Sequence, residues 1–461
     1  MAAINTKSAG RMLGKAVHLV SLGCPKNLVD AEVMLARLQQ EGCVVTDTPE
    51  KAHLILVNTC GFIQSAVEEA IDEILLLSKW KEKDPGKVLV VTGCMVQRYG
   101  AALQQELPEV DLFVGTDGFH RIDRLLAEKD ITTNHTVIHR DDPLFLMDSS
   151  TPRVVSTPGH RAYLKISEGC DNRCSYCLIP SLRGRLRSRE IADLVREAQA
   201  LEEKGVKELT LVGQDLTAYG TDLYGKSDLT GLLTTLVAET SVPWIRMLYL
   251  YPARVDKGFL DCVAGLPRVL PYFDLPLQHV ADHLLKRMGR PGREKDISQL
   301  LTDIRAAIPH AAIRGTFIVG FPGEQPEDVD LLASFLTRHE LDHVGVFAYE
   351  NEEESRSSRF SGQVAEEERR ARRERIMALQ AEIAAKTLRR RIGQRVAVLV
   401  EGEHPETDLL LDGRAWFQAP EIDGRVHITA GRAKPGEMVT LTVTDSHVYD
   451  LVGEITTGSV A

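Results

Sequence analysis

The sequence predicts a multidomain α/β chain: a parallel α/β N-terminal domain, a second α/β domain built as a partial TIM-type barrel, and a C-terminal OB-like β-barrel. Three observations predict it. Apolar strand signals alternate with helical ones over residues 15–130. The alternation restarts near residue 162, beyond a stretch rich in Pro, Ser and Thr. The residues after 391 then abandon helical periodicity for short strand signals split by Gly, Pro and Asp.

Residues 1–14 read as a flexible tail. In the first domain, strands are expected over 17–22, 54–57, 88–92 and 111–114, with helices over 28–40 and 65–79. Residues 131–158 contain Asp-Asp-Pro, Ser-Ser-Thr-Pro and Thr-Pro-Gly and read as a linker. The second domain, 159–363, carries strand signals over 162–166, 208–212, 244–248, 272–275, 313–319 and 343–347. Six βα units are long for a small doubly wound sheet and short for a complete eight-unit barrel. A partial barrel fits the count, although periodicity by itself leaves the alternatives open. Residues 364–391 hold nine Lys/Arg and five Asp/Glu, with Ile376, Leu379, Ile383 and Leu388 at near-helical spacing. This reads as a charged amphipathic helix connecting two domains. Strands over 396–401, 407–411, 424–429, 438–445 and 451–455 build the terminal barrel, 392–461.

With 461 residues, 43% hydrophobic and 26% charged, the composition is neither disordered nor fibrous. No window offers 18 uninterrupted apolar residues, so no membrane-spanning helix is expected. The first 15 residues lack the apolar core of a secretion signal. Together these predict a cytoplasmic protein with no membrane partner. The net charge of −11 argues against a strong non-specific grip on nucleic acid.

The strongest chemical signal is Glu168-Gly-Cys-Asp-Asn-Arg-Cys-Ser-Tyr-Cys177, which places Cys170, Cys174 and Cys177 at C-x3-C-x2-C spacing. Three close thiolates bind soft metal, and a 4Fe-4S cube can take three ligands from one loop and leave its fourth iron open. The alternative is a structural zinc with a distant fourth ligand, but zinc sites favour C-x2-C pairs. Cys24, Cys60 and Cys94 each follow an expected strand. Strand ends of a parallel sheet share one edge, so these three can meet in space. Spacing alone leaves a second cluster and buried free thiols both open. Cys43 and Cys262 show no such pattern and read as ordinary core or surface thiols.

The Cys170–Cys174–Cys177 loop resembles the signature of the radical S-adenosylmethionine (SAM) superfamily. The resemblance implies reductive cleavage of SAM at the open iron to a 5′-deoxyadenosyl radical. It places Tyr176 near the adenine, and it makes Gly315-Thr-Phe-Ile-Val-Gly-Phe-Pro-Gly-Glu324 the strand and turn approaching the adenosyl group. Gly320, Gly323, Glu324 and Gln214, with Asp215 beside it, are then the expected SAM contacts. From about residue 17 to 455 the chain resembles the radical SAM methylthiotransferases, which have a three-cysteine N-terminal domain, a radical SAM domain and a C-terminal TRAM domain. In that family the counterparts of Cys24, Cys60 and Cys94 hold an auxiliary 4Fe-4S cluster. The implied cofactors are therefore two 4Fe-4S clusters and SAM, and no side chain is singled out as catalytic.

One branch of that family modifies a transfer-RNA adenosine. Another adds a methylthio group to the β-carbon of an aspartate in small-subunit ribosomal protein S-twelve. Cys24-Pro-Lys-Asn27 and Asp274-Leu-Pro-Leu-Gln-His279 have the forms of the second branch, which makes Gln278 and His279 expected substrate contacts. Two stretches depart from the pattern: Asp30-Ala-Glu32, where Asp-Ser-Glu is usual, and Tyr349-Glu-Asn-Glu-Glu-Glu-Ser355. The second puts substrate contacts near that strand end in doubt. Residues 391–461 carry six Lys/Arg and eleven Asp/Glu, the wrong sign for an RNA-binding barrel despite Trp416, Phe417 and Tyr449. An acidic barrel suits a basic ribosomal protein, free or in the assembled subunit. The arginines at 183, 185, 187 and 189 are expected to pair with acidic groups or to hold the anionic parts of SAM, rather than to line a phosphate path. The reaction also implies a low-potential electron donor and a sulfur source. The competing readings are tRNA adenosine methylthiolation and, outside enzymes, an iron–sulfur ribosome-binding assembly or sensing factor.

Overall fold

The computed structural model describes residues 13–128 and 136–456. Residues 1–12 of the expected tail, 129–135 around the start of the expected linker, and 457–461 lie outside the described residues. The chain forms two compact units. The first comprises the chain up to Ser156 together with Ser167–Asn172 and Cys177–Arg189. The second comprises Thr157–Ile166, Arg173–Tyr176 and everything from Glu190 onward. The connecting helix and terminal barrel thus share a unit with the central domain, and the cysteine loop is divided between the two units.

In the first unit a six-stranded parallel sheet runs Val44–Val45, Ala16–Ser21, Leu54–Thr59, Val88–Gly93, Leu112–Val114 and Val137–His139. The central strand Leu54–Thr59 is buried at every residue, as a parallel strand covered on both faces must be. The helix Gln64–Lys83 buries Val67, Ala70, Ile74 and Leu77, one face at i, i+3, i+4 spacing, against Ile55, Val57, Leu89, Val91 and Phe113. The larger of these side chains, Val67, Ile74 and Leu77, each contribute about 1.5–3 kcal/mol by leaving water. The helix Pro25–Gln40 opens on a proline, whose fixed φ suits the first helical position.

The stretch read as a linker is ordered where it is described. Val137–His139 adds an edge strand beside Leu112–Val114. Further on, Glu32 is fully buried and accepts from Arg153 Nε at 2.7 Å, Ser156 N at 2.6 Å and Ser156 Oγ at 2.8 Å. A buried carboxylate without such partners would be costly, so this segment is fixed to the helix Pro25–Gln40 by its charge.

In the second unit six parallel strands follow one another in chain order: Arg161–Lys165, Glu208–Val212 and Trp244–Met247, then Tyr272–Gln278, Ala312–Val319 and His343–Ala348. Leu250 N donates to Asp274 O at 2.9 Å and links the two triplets. This is the partial barrel. The helix Glu366–Arg389 lies against the last strand of the partial barrel and also touches the terminal-barrel strand Met438–Ser446, burying Ile376, Gln380, Ile383 and Leu388. Leu379 is only partly buried, and Gln380 takes the inner position by donating to Leu341 O at 3.2 Å. The strands Arg395–His404, Thr407–Ala415, Val426–Ala430, Leu451–Ile455 and Met438–Ser446 close into a five-stranded barrel.

That small barrel is tied to the partial barrel by buried charge. Arg246 donates to Glu208 at 2.6 Å, and Arg414 bridges Glu208 and Glu401. Burial opposes ionisation of Glu208, yet Arg414 and then Arg246 bring its carboxyl down to about 2.

Candidate functional site

In the first unit Cys24, Cys60 and Cys94 converge at the C-terminal edge of the parallel sheet. Cys24 is the N-cap of the helix Pro25–Gln40, where unpaired backbone N–H groups favour negative charge. Cys60 follows the strand Leu54–Thr59, and Cys94 opens the helix Cys94–Tyr99 directly after the strand Val88–Gly93. Gly23 has φ +90°, and a Cβ there would lie 2.8 Å from the Cys60 Cβ, so only glycine lets these two turns meet.

Asn27 Oδ1 lies 3.8 Å from Cys24 Sγ and 3.8 Å from Cys94 Sγ. Its amide nitrogen donates to Thr59 O at 2.9 Å and its own carbonyl accepts from Asn58 Nδ2 at 2.6 Å, which secures it beside Cys60. Arg183 donates from Nε to Cys94 Sγ at 3.2 Å, from Nη1 to Asp30 at 2.6 Å and from Nη2 to Asn27 Oδ1. Burial pushes the Cys94 thiol up to about 12, even against the Arg183 charge. Burial also raises Cys60, followed by the neighbouring Cys24. Metal ligation would supply the charge that ionises these thiols, with release of protons. The donor set fits a cluster: three buried or half-buried sulfurs, one cation and no competing disulfide.

The Glu168–Cys177 loop holds its other three thiols half-buried. In the first unit, Asn172 N donates to Cys170 Sγ at 3.4 Å and Ile179 N to Cys177 Sγ at 3.5 Å. In the second unit, Arg290 lies 3.7 Å from Cys174 Sγ and stacks on Tyr251 at 3.9 Å. Ser175 Oγ is buried with no hydrogen-bond partner among the described residues. An orphaned hydroxyl inside a cysteine loop is the kind of atom a bound group satisfies.

The remaining expected residues stand at the C-terminal ends of the second unit's strands, where barrel ligands bind. Tyr176 is partly buried and packs against the cluster of Ala281, Leu284, Met288, Phe321 and Tyr349. Gln214 is half-buried after the strand Glu208–Val212. Its neighbour Asp215 is paired with Arg254 and accepts from Thr217 at 2.6 Å. Gly320 has φ +74° and Gly323 φ +92°. Glu324 and His279 are buried together: Glu324 accepts from His279 Nε2 at 3.2 Å, from Arg372 at 3.1 Å and from Gly320 N. His279 Nδ1 accepts from Ala281 N at 2.9 Å, so both ring nitrogens are occupied. Gln278 is buried and stands out by its backbone. It adopts φ +72° after a register shift in the strand Tyr272–Gln278, where Pro276 can offer no N–H. Tyr249 has φ +64° at the neighbouring strand end. Non-glycine residues held there cost about 1–3 kcal/mol each and cluster at functional sites.

Sequence reasoning did not single out Asn27, Asp30, Arg290, Tyr249 or Tyr251 as site residues. Of these, Asn27 and Asp30 lay in stretches that the sequence pattern marked, 24–27 and 30–32. Of the four arginines, Arg183 and Arg189 are buried, while Arg185 is exposed and pairs with Asp171 at 3.3 Å.

Three family models match the chain: Uncharacterized protein family UPF0004 over residues 16–115, the Radical SAM superfamily over 164–336 and the TRAM domain over 392–456. The chain is 49% identical over 442 residues to the ribosomal protein uS12 methylthiotransferase RimO of Desulfotalea psychrophila, covering 95% of this chain and 98% of that one. It is 48% identical over 439 residues to the enzyme of the same name from Citrifermentans bemidjiense, with the same shares covered. Among solved structures, the radical SAM methyltransferase TsrM of Kitasatospora setae, with tryptophan and a SAM analogue bound, aligns with a TM-score of 0.53 at 18% identity. That alignment covers 72% of this chain and 73% of TsrM, and it speaks to the fold alone.

Proposed function

The chain belongs to the RimO family of radical SAM methylthiotransferases, and from that premise we propose that it adds a methylthio group to the β-carbon of an aspartate in ribosomal protein uS12. The observation that carries the proposal is the near-full-length identity to RimO enzymes in a chain that keeps both cysteine triplets. In this reading Cys170, Cys174 and Cys177 hold the radical SAM 4Fe-4S cluster, and Cys24, Cys60 and Cys94 hold the auxiliary one.

When bound, the clusters and SAM would supply methyl-donor, sulfur-delivery and hydrogen-abstraction chemistry at the aspartate β-carbon. The protein's own residues supply placement. Tyr176, Gln214 and the Gly320–Glu324 turn are assigned to SAM. Glu324 acts by fixing the turn from beneath, since its carboxylate is consumed by internal donors. His279 has no free ring nitrogen, so it holds Gln278 at the strand end rather than touching substrate itself. A low-potential donor and a sulfur source are required partners, and a cytoplasmic setting suits both reduced clusters and ribosomal substrate. No helix among the described residues is long and apolar enough to cross a membrane.

The terminal barrel supports a protein substrate over RNA. Phe417 is 1% exposed beneath Arg391 and unavailable for base stacking, whereas Trp416 is half-buried and Tyr449 exposed, so the preference rests on charge rather than on the aromatics. Glu403, Glu406, Glu437 and Asp445 are exposed, offering negative charge to a basic partner.

The test is product formation in anaerobic, cluster-loaded enzyme given SAM, sulfide and reductant. S-adenosylhomocysteine and 5′-deoxyadenosine are expected to rise together when uS12 is added. A rise on adding unmodified tRNA instead would assign the chain to the RNA branch. SAM binding without either product would favour a non-enzymatic ribosome factor.

A further inference from the structure

We propose that Arg183 is the positioning residue that ties the auxiliary cysteine site to the Cys177 segment and raises the electron affinity of the auxiliary cluster. The inference rests on the assignment of Cys24, Cys60 and Cys94 to that cluster.

Arg183 is 2% exposed, and each of its three guanidinium nitrogens donates a hydrogen bond. Nε donates to Cys94 Sγ at 3.2 Å, Nη1 to Asp30 at 2.6 Å, and Nη2 to Asn27 Oδ1. The same Asn27 oxygen faces the sulfurs of Cys24 and Cys94, while the Asn27 amide nitrogen is bound to the carbonyl of Thr59, one residue before Cys60. One side chain therefore reaches all three cysteine-bearing segments, directly or through Asn27. A lysine ammonium has no planar fork with which to make these three contacts at once.

The position of Arg183 in the chain adds the second half of the argument. It closes the short helix Ile179–Arg183, which begins just after Cys177. Leu178 and Leu182 pack directly on Cys94 in one buried cluster. Leu182 is in turn fixed by Thr116 Oγ1, which donates to its carbonyl at 2.7 Å. A ligand of one cluster and a ligand of the other are thus joined through a single turn of helix within the first unit.

The electrostatic consequence follows from the donor. Asp30 and Glu168 balance the guanidinium, at 2.6 Å and 3.6 Å, but its Nε–H points at sulfur. An N–H donor and a cation beside a ligating thiolate stabilise the more negative, reduced cluster and so raise its reduction potential.

The test uses the full chain with Cys170, Cys174 and Cys177 replaced by alanine, so that iron loads at the auxiliary site alone. Arg183→Lys and the paired Arg183→Met with Asp30→Asn are compared with this parent; the pair removes a cation and an anion together. Redox titration followed by electron paramagnetic resonance should give lower midpoint potentials in both variants, with the larger shift in the pair. Loss of iron from a variant whose circular dichroism and melting match the parent would also support the proposal, because Cys94 would have lost its anchor. Full iron content with an unchanged potential in both variants would overturn it. A parent that loads no iron would instead fault the cluster assignment itself. Should both variants misfold, the triple-alanine parent grown with 15N-arginine decides the matter, because it keeps Arg183 and lacks the cluster that Arg290 approaches through Cys174. Pulsed resonance should detect a weakly coupled arginine nitrogen at the reduced cluster, and its absence would overturn the proposal.

Discussion

Replacing Arg414 by methionine should destabilise the second unit by up to about 3 kcal/mol at neutral pH, the ceiling set by the joint effect of Arg414 and Arg246 on Glu208. The magnitude comes from Glu208, whose carboxyl is brought from its ordinary 4.5 to about 2 while fully buried. At about 1.4 kcal/mol per tenfold change in acidity, that is about 3 kcal/mol. Breaking a buried pair by removing one partner costs a similar 3–5 kcal/mol or so. Arg246 remains beside Glu208, whereas Glu401 loses its Arg414 contact at 2.6 Å and keeps His160 and Arg161. The assay is urea unfolding followed by tryptophan fluorescence in a Trp80→Phe background, leaving Trp244 and Trp416 to report on the second unit. Because the folded carboxyl is more acidic than the unfolded one, its contribution is complete above about pH 4.5 and disappears toward pH 2. The gap between wild type and variant should therefore be full at neutral pH and narrow in acid. A loss below about 1 kcal/mol, the worth of a surface pair, would refute the reasoning, as would a gap that does not respond to acid.

The other predictions concern the site. Cys174→Ala should abolish SAM cleavage while retaining roughly half the iron; unchanged cleavage would remove that loop from the chemistry. Cys60→Ala should retain SAM cleavage and lose sulfur transfer, checked by product analysis in an iron-counted sample. Gly320→Ala should weaken SAM binding at least tenfold by calorimetry, since its φ is +74° and a Cβ would run into the Arg369 side chain. Glu324→Gln should raise the KM for SAM more than it lowers kcat, because it loosens the Gly320 turn without touching the clusters.

The sequence pattern located the long strands and helices because burial imposes periodicity on them. Within the strand Leu54–Thr59, covered on both faces, the apolar run 54–57 is visible without a structure, while Asn58 and Thr59 extend it unseen. Val44–Val45 and Val137–His139 are too short to show a period, and neither is fully buried. The ordering of the expected linker depends on Arg153 and Ser156 finding Glu32 more than 120 positions away, a pairing that no local pattern encodes. The cysteines were legible because their chemistry fixes their type. Their support was less so: Arg183 reads as one of four alternating arginines until its contacts to Cys94 and Asp30, 89 and 153 positions distant, come into view. For His279 and Glu324 the motif was visible, while their burial against each other depends on packing between strand ends.

The most direct test of the central claim is intact-mass and peptide spectrometry of uS12 after anaerobic turnover, beside a matched tube of unmodified tRNA and a Cys174→Ala control. The account predicts a methylthio gain on a single aspartate of uS12, absent from the control and from the tRNA. A methylthio-adenosine in the tRNA tube, with uS12 unchanged, would contradict it.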